Sequence, residues 1–254
     1  MNFLNKNLAL IVTALLLSAC GDHTDQTLSP PKNAHWVTVK FKVPEGTTLQ
    51  PMQVMYRSDT CKDTSQNSSG KSYDIRGING FEQNFTQQGQ SNVWQTRIAI
   101  EGGGSCQWIL NSIKVTFKLF DDNSLAAGKK NLETNYIFDF GDYGFSDGYG
   151  AGSARPFIGD IVQKTIFFPL IIHHLDKSTD FVLFGGNTDK EKWSRRYMLR
   201  DTKSIYIEPT LNLDKVVILT PPVTTGNIVA TYPDGSKEDM LGITPDYNKL
   251  LSGN

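Results

Sequence analysis

Gly144-Phe145-Ser146-Asp147-Gly148 spells the G-x-S-x-G pattern with which hydrolases lift a serine nucleophile out of a strained turn between a strand and a helix. Tyr136 to Phe140 reads as a strand before it, but Tyr149 to Pro156, rich in glycine and closed by proline, cannot start a helix cleanly. A loop is therefore expected, with no catalytic residue, although His173 and His174 lie downstream as conceivable bases. Asp139, Asp142, Asp147 and Asp160 offer hard oxygen ligands of the kind calcium takes, but their spacing matches no calcium loop and solvated loop carboxylates are the expectation. His173 and His174 are neighbours in a strand-like segment and face opposite ways, so they cannot chelate one metal together. No cofactor or metal site is expected.

Glu101-Gly-Gly-Gly-Ser-Cys106-Gln-Trp108 is the most distinctive internal segment. A phosphate cradle needs its glycines to lead into a helix N-terminus, and this run leads into a strand. It reads as a permissive turn or bulge between Ile100 and Trp108, with Cys106 and Trp108 on one strand face and a disulfide beside the indole.

The elements that must hold these residues are strands. Val37, Val39, Phe41 and Val43 alternate with polar residues, as do Ile113, Val115, Phe117 and Leu119, the period of two that gives one face to a core and the other to water. Shorter β-rich runs cover Gln53 to Arg57, Phe81 to Phe85, Val93 to Ile100, Asn135 to Phe140, Ile161 to His173, Asp180 to Phe184, Arg196 to Arg200, Ser204 to Leu211, Lys215 to Leu219 and Asn227 to Tyr232. Residues 58–80, rich in Ser, Asp, Asn, Lys and Gly, read as a long surface loop pinned at Cys61. Asp189 to Met198 has room for one or two short helical turns, and no sustained helical stripe occurs elsewhere. The expected fold is all-β, an antiparallel β-sandwich, either one elaborated domain or two with a boundary at 178/179 (residues 35–178 and 179–254).

The first twenty residues set the compartment. Lys6 precedes an apolar run from Leu8 to Leu17, too short to span a bilayer, which ends in Leu17-Ser18-Ala19-Cys20. This resembles the lipobox of bacterial lipoproteins. The resemblance implies cleavage after Ala19 (signal peptide 1–19) and acylation of Cys20. With Gly21 in place of the aspartate that retains such proteins at the inner membrane, it also implies the periplasmic face of the outer membrane. An ordinary secretory signal with Cys20 as a stray thiol is the alternative. Residues 20–34, polar and carrying Pro30-Pro31, read as a lipidated tether.

Loss of residues 1–19 leaves 235 residues and removes only Lys6, so the net charge moves from -1 to -2. Without a basic excess or a Lys/Arg cluster, neither nucleic acid nor an anionic membrane surface is indicated as a partner. In an oxidising compartment Cys61 and Cys106 form an even pair, with no CxxC and no histidine within ten residues of either, and a disulfide is expected.

The lipobox, the polar tether, the all-β body and Cys61 followed by Phe81, Trp94 and the Gly-Gly-Gly-Ser-Cys-Gln-Trp segment together resemble the periplasmic lipoprotein immunity proteins of type VI secretion. These are encoded beside antibacterial lipase effectors. The resemblance covers residues 1–20 and roughly 36–120, and carries no catalytic motif. It implies an anchored, non-enzymatic protein that binds and blocks a secreted lipase or phospholipase. Tyr143, Phe145, Tyr149 and Arg155 supply hot-spot residue types on an irregular loop and are the candidate contacts. A structural or assembly lipoprotein, a scaffold or chaperone of an envelope machine, is the alternative function.

Overall fold

A computed structural model describes residues 24–141, 154–186 and 194–252. In chain order their strands are β1 (Trp36–Lys42), β2 (Thr47–Leu49), β3 (Met52–Gln66), β4 (Ser72–Gln83), β5 (Thr86–Gln87), β6 (Val93–Ala99), β7 (Glu101–Gly103), β8 (Trp108–Leu119) and β9 (Lys130–Asn131). There follow β10 (Thr134–Asp139), β11 (Arg155–Ile158), β12 (Ile161–His173), β13 (Thr179–Gly185), β14 (Ser194–Arg200), β15 (Ser204–Leu211), β16 (Val217–Thr220), β17 (Ile228–Thr231), β18 (Lys237–Met240) and a short helix, α1 (Tyr247–Ser252).

The strands form two sheets. One runs β18-β17-β16-β12-β15-β1-β6-β5, with β13 on β12 and β9 on β13; the other runs β11-β14-β10-β8-β3-β4, with β2 and β7 on β8. The all-β sandwich expected from alternation is present, but the sheets are mixed. β15 runs parallel to both β1 and β12, β16 to β12, β9 to β13, and β14 to both β10 and β11. Parallel neighbours need a long crossover rather than a hairpin. Here the chain makes it by crossing between sheets, as where β14 of one sheet passes through residues 201–203 into β15 of the other.

The inward residues of the two sheets meet in a continuous aromatic row. Phe41 touches Phe117 at 5.3 Å between centroids, Phe117 touches Phe167 at 5.3 Å, and Phe167 touches Tyr136 at 6.3 Å, each contact crossing from one sheet to the other. Such pairs contribute about 0.5–1.5 kcal/mol each beyond the area they bury. A second, smaller core is built from Phe168, Leu170, Val182, Phe184, Val217, Leu219, Tyr232, Met240 and Leu250. The boundary expected at 178/179 runs through the sheets: Thr179 pairs with His173, and residues 194–211 supply β14 and β15 to the main body. The segment with a core of its own begins after β15 and shares the upper half of β12 and β13.

Residues 58–80 are not a loop. β3 and β4 remain paired down to Gln66 and Ser72, a long hairpin whose turn is held by Asn67, its Oδ1 accepting from the amides of Ser69 and Lys71. Beyond Ser58 both faces of this ribbon meet solvent, which is why its composition mimics a loop. The register shifts between Ser58 and Lys62, where Ser58 Oγ accepts from the amides of Thr60 and Cys61 and turns the cysteine inward. Gly77 stands opposite because a Cβ there would lie 2.0 Å from the Cys61 carbonyl oxygen. The helical turns considered for 189–198 are likewise not found where described: residues 194–200 are β14.

Candidate functional site

Cys20, Tyr143, Phe145, Tyr149 and the Gly144–Gly148 motif lie outside the described residues, as do Asp142 and Asp147. Arg155 opens β11, in register with Tyr197. The other two aspartates have structural work. Asp139, fully buried, accepts from Nε of Arg196 on the neighbouring strand, and Asp160 Oδ1 accepts from the amides of Lys203 and Ser204 at 2.8 Å each, tying two turns together. Among the described residues no cluster of three or more His, Cys, Asp or Glu could hold a metal. His173 and His174 do part company as alternation requires: the ring of His173 meets the Thr179 hydroxyl at 3.1 Å, and that of His174 meets Asp180 at 3.0 Å.

Cys61 and Cys106 are bridged, with Cα atoms 5.2 Å apart. Cys106 is not on a strand with Trp108, however. It lies in the four-residue turn 104–107 that joins β7 to β8, and Gln107 takes the left-handed conformation there (φ 52°). Both Cys106 and Trp108 are buried in the main core, so the disulfide ties the polar hairpin to the end of the sandwich.

The most unexpected feature is at the same end. The residues read as a tether are docked from Asp25 onward. Ser29 donates to the Gly102 carbonyl at 2.8 Å, Trp108 Nε1 donates to the Asp25 carbonyl at 3.0 Å, and Asn79 donates to the Gln26 carbonyl at 2.8 Å. Leu28 packs against the main core. The glycine run exists for this contact: a Cβ on Gly103 would lie 2.2 Å from the Ser29 carbonyl oxygen, and one on Gly104 2.3 Å from that of Thr27. Residues 25–29, read from the sequence as tether, are therefore held against the folded body.

Asp25 pins the docked segment electrostatically. The Ser105 hydroxyl, and then Thr27, hold its carboxyl at about 2, well below its ordinary 3.8. A depressed folded value stabilises the docked form above pH 3.8 and loses that contribution as pH falls toward 2. Acidification through this window is expected to loosen the segment, read as a shift of the Trp108 indole N–H resonance, whose acceptor is the Asp25 carbonyl. An indole signal unchanged at pH 2 in a folded protein contradicts this.

The opposite end carries the candidate binding site. It is a groove of about 670 Å³ between the end of β12, the start of β13 and the β16–β17 connection, walled by Leu132, Ile172, Leu175, Val182, Pro221, Pro222, Ile228 and Ile243. Pro221-Pro222 lacks the N–H groups to continue the β16 ladder, so the chain leaves the sheet there and opens the groove. His174 and Asp180, 3.0 Å apart, lie in one wall. Val223 and Leu241, 100% and 97% exposed, extend the apolar surface of this C-terminal part of the fold. A concave, mostly apolar site with few polar groups is the usual form of a ligand or partner pocket.

Comparison with protein families, characterised proteins and solved structures finds no match. The groove was not legible beforehand because its apolar residues come singly from turns and strand ends. Leu175 within His-His-Leu-Asp-Lys and the pair Pro221-Pro222 were its sequence signals.

Proposed function

We propose that the chain is a lipid-anchored periplasmic immunity protein that binds and blocks a lipase or phospholipase effector delivered by type VI secretion. The observation that supports binding is the apolar groove at the end of the sandwich remote from the docked N-terminal segment. A lipase surrounds its acyl-binding cleft with apolar surface, and a protein that blocks it needs a complementary apolar centre with a polar rim. The lipase as partner and the anchor at Cys20 rest on the sequence resemblance. A stable complex needs about 800 Å² on each side, so the groove is the centre of a wider contact.

The experiment pairs the mature protein with the lipase encoded beside it. Leu175→Glu combined with Ile243→Lys puts charge into the groove at two exposed positions. The fold is expected to stay within about 0.5 kcal/mol of the wild type, while affinity for the lipase falls at least tenfold, about 1.4 kcal/mol. Unchanged affinity would remove the groove from the interface. Recovery of an envelope-machine component in place of any lipase would replace immunity with the scaffold role.

A further inference from the structure

We propose that the end of the sandwich bearing the docked N-terminal segment is a bilayer-facing surface, which seats against phospholipid headgroups and holds the groove away from the membrane. This rests on the reading of Cys20 as the acylated residue. From Cys20 to Asp25 the chain has five steps, a reach of at most about 18 Å when fully extended. Asp25 itself is fixed to Trp108 and Ser105, so the lipid holds the folded body close to the membrane by this end.

The surface there suits such a position. Trp36 begins β1, Ile109 lies next to Trp108 at the start of β8 and Ile158 ends β11. All three large apolar side chains are exposed, Ile158 by 74%. Their strands reach this end together: Trp36 pairs with Ala99 and Ile109 with Glu101, while Asp160, just after Ile158, accepts from the amide of Lys203, whose carbonyl accepts from Thr38 N. The Arg97 guanidinium lies over the Trp36 ring at 5.2 Å, an amphipathic aromatic and a cation placed as headgroups favour. Of the carboxylates nearby, Glu101 is engaged by His35, Asp160 by backbone amides and Asp25 by the Ser105 hydroxyl, while Asp201 is exposed beside Lys203. The groove is held at the other extreme. Ile172 in its wall is eleven residues beyond Ile161 on one continuous strand, about 36 Å at 3.3 Å per residue. A partner arriving from the periplasm therefore meets the groove without contacting the bilayer.

The test uses full-length acylated protein in phosphatidylethanolamine/phosphatidylglycerol vesicles whose acyl chains carry bromine, which quenches nearby tryptophan. With Trp94→Phe and Trp193→Phe the reporters are Trp36 and buried Trp108, and a Trp36→Phe version supplies the Trp108 background. Val223→Trp in that background reports on the far end. Trp36 emission is expected to be lost on reconstitution while that of Val223→Trp is retained. Gly103→Val, which drives the docked segment off, is expected to restore Trp36 emission with the protein still vesicle-bound. Acylated protein that quenches both reporters equally, or that quenches Trp36 regardless of Gly103→Val, overturns the proposal and leaves the anchor intact. Absence of an acyl mass on Cys20 removes the anchor and the proposal together.

Discussion

Replacing Arg196 with Ala is expected to destabilise the fold by about 3–5 kcal/mol, because it takes away the guanidinium that Arg196 presents to the Asp139 carboxylate, fully buried on the adjacent strand. Arg196 is itself largely covered, so solvent does not screen the loss. The double variant Asp139→Asn with Arg196→Met removes both members of the pair and is expected to cost less than the single one, since the buried carboxylate is neutralised along with its cation. Urea denaturation at neutral pH distinguishes the cases. A single variant within 1 kcal/mol of wild type, or a double variant as unstable as the single, would show that the pair does not hold β10 to β14.

Loss of the Cys61–Cys106 bridge is the second large effect. The cysteines are 45 residues apart, and closing such a loop constrains the unfolded chain by about 4 kcal/mol in the chain-entropy model, within the 2–5 kcal/mol typical of native bridges. Cys61→Ala with Cys106→Ala is expected to lose that amount and to free the ribbon beyond Ser58, whose hydroxyl also donates to the Cys106 carbonyl. Denaturation with and without reductant, followed by amide exchange over residues 59–76, reads both. Equal stability of the bridged and reduced forms would contradict the assignment.

The sequence was readable where one face of a strand is buried. Val37, Val39 and Phe41, and Ile113, Val115 and Phe117, alternate because a core lies on one side, and both runs are strands as expected. Strand direction was not readable, since side chains alternate identically in parallel and antiparallel neighbours, and hence the mixed sheets came as a correction. The ribbon of β3 and β4 was mistaken for a loop because neither face beyond Ser58 is buried enough to leave an apolar signature. The docked N-terminal segment was invisible for a different reason. It is held largely through its own backbone, by the Asp25, Gln26 and Ser29 peptide groups, with Leu28 a lone apolar contact among polar neighbours. Its trace in the sequence was on the receiving side, in the run Gly102-Gly103-Gly104. The cysteine pairing was legible from compartment and parity alone, and its geometry bears this out.

Titration of the neighbouring lipase with the mature protein, while the enzyme hydrolyses phospholipid vesicles, tests the central claim most directly. The expected result is loss of hydrolysis that is complete near one equivalent and slow to recover on dilution, since protection against an already active enzyme depends on slow dissociation. Hydrolysis that continues unabated at micromolar excess of the protein would contradict it.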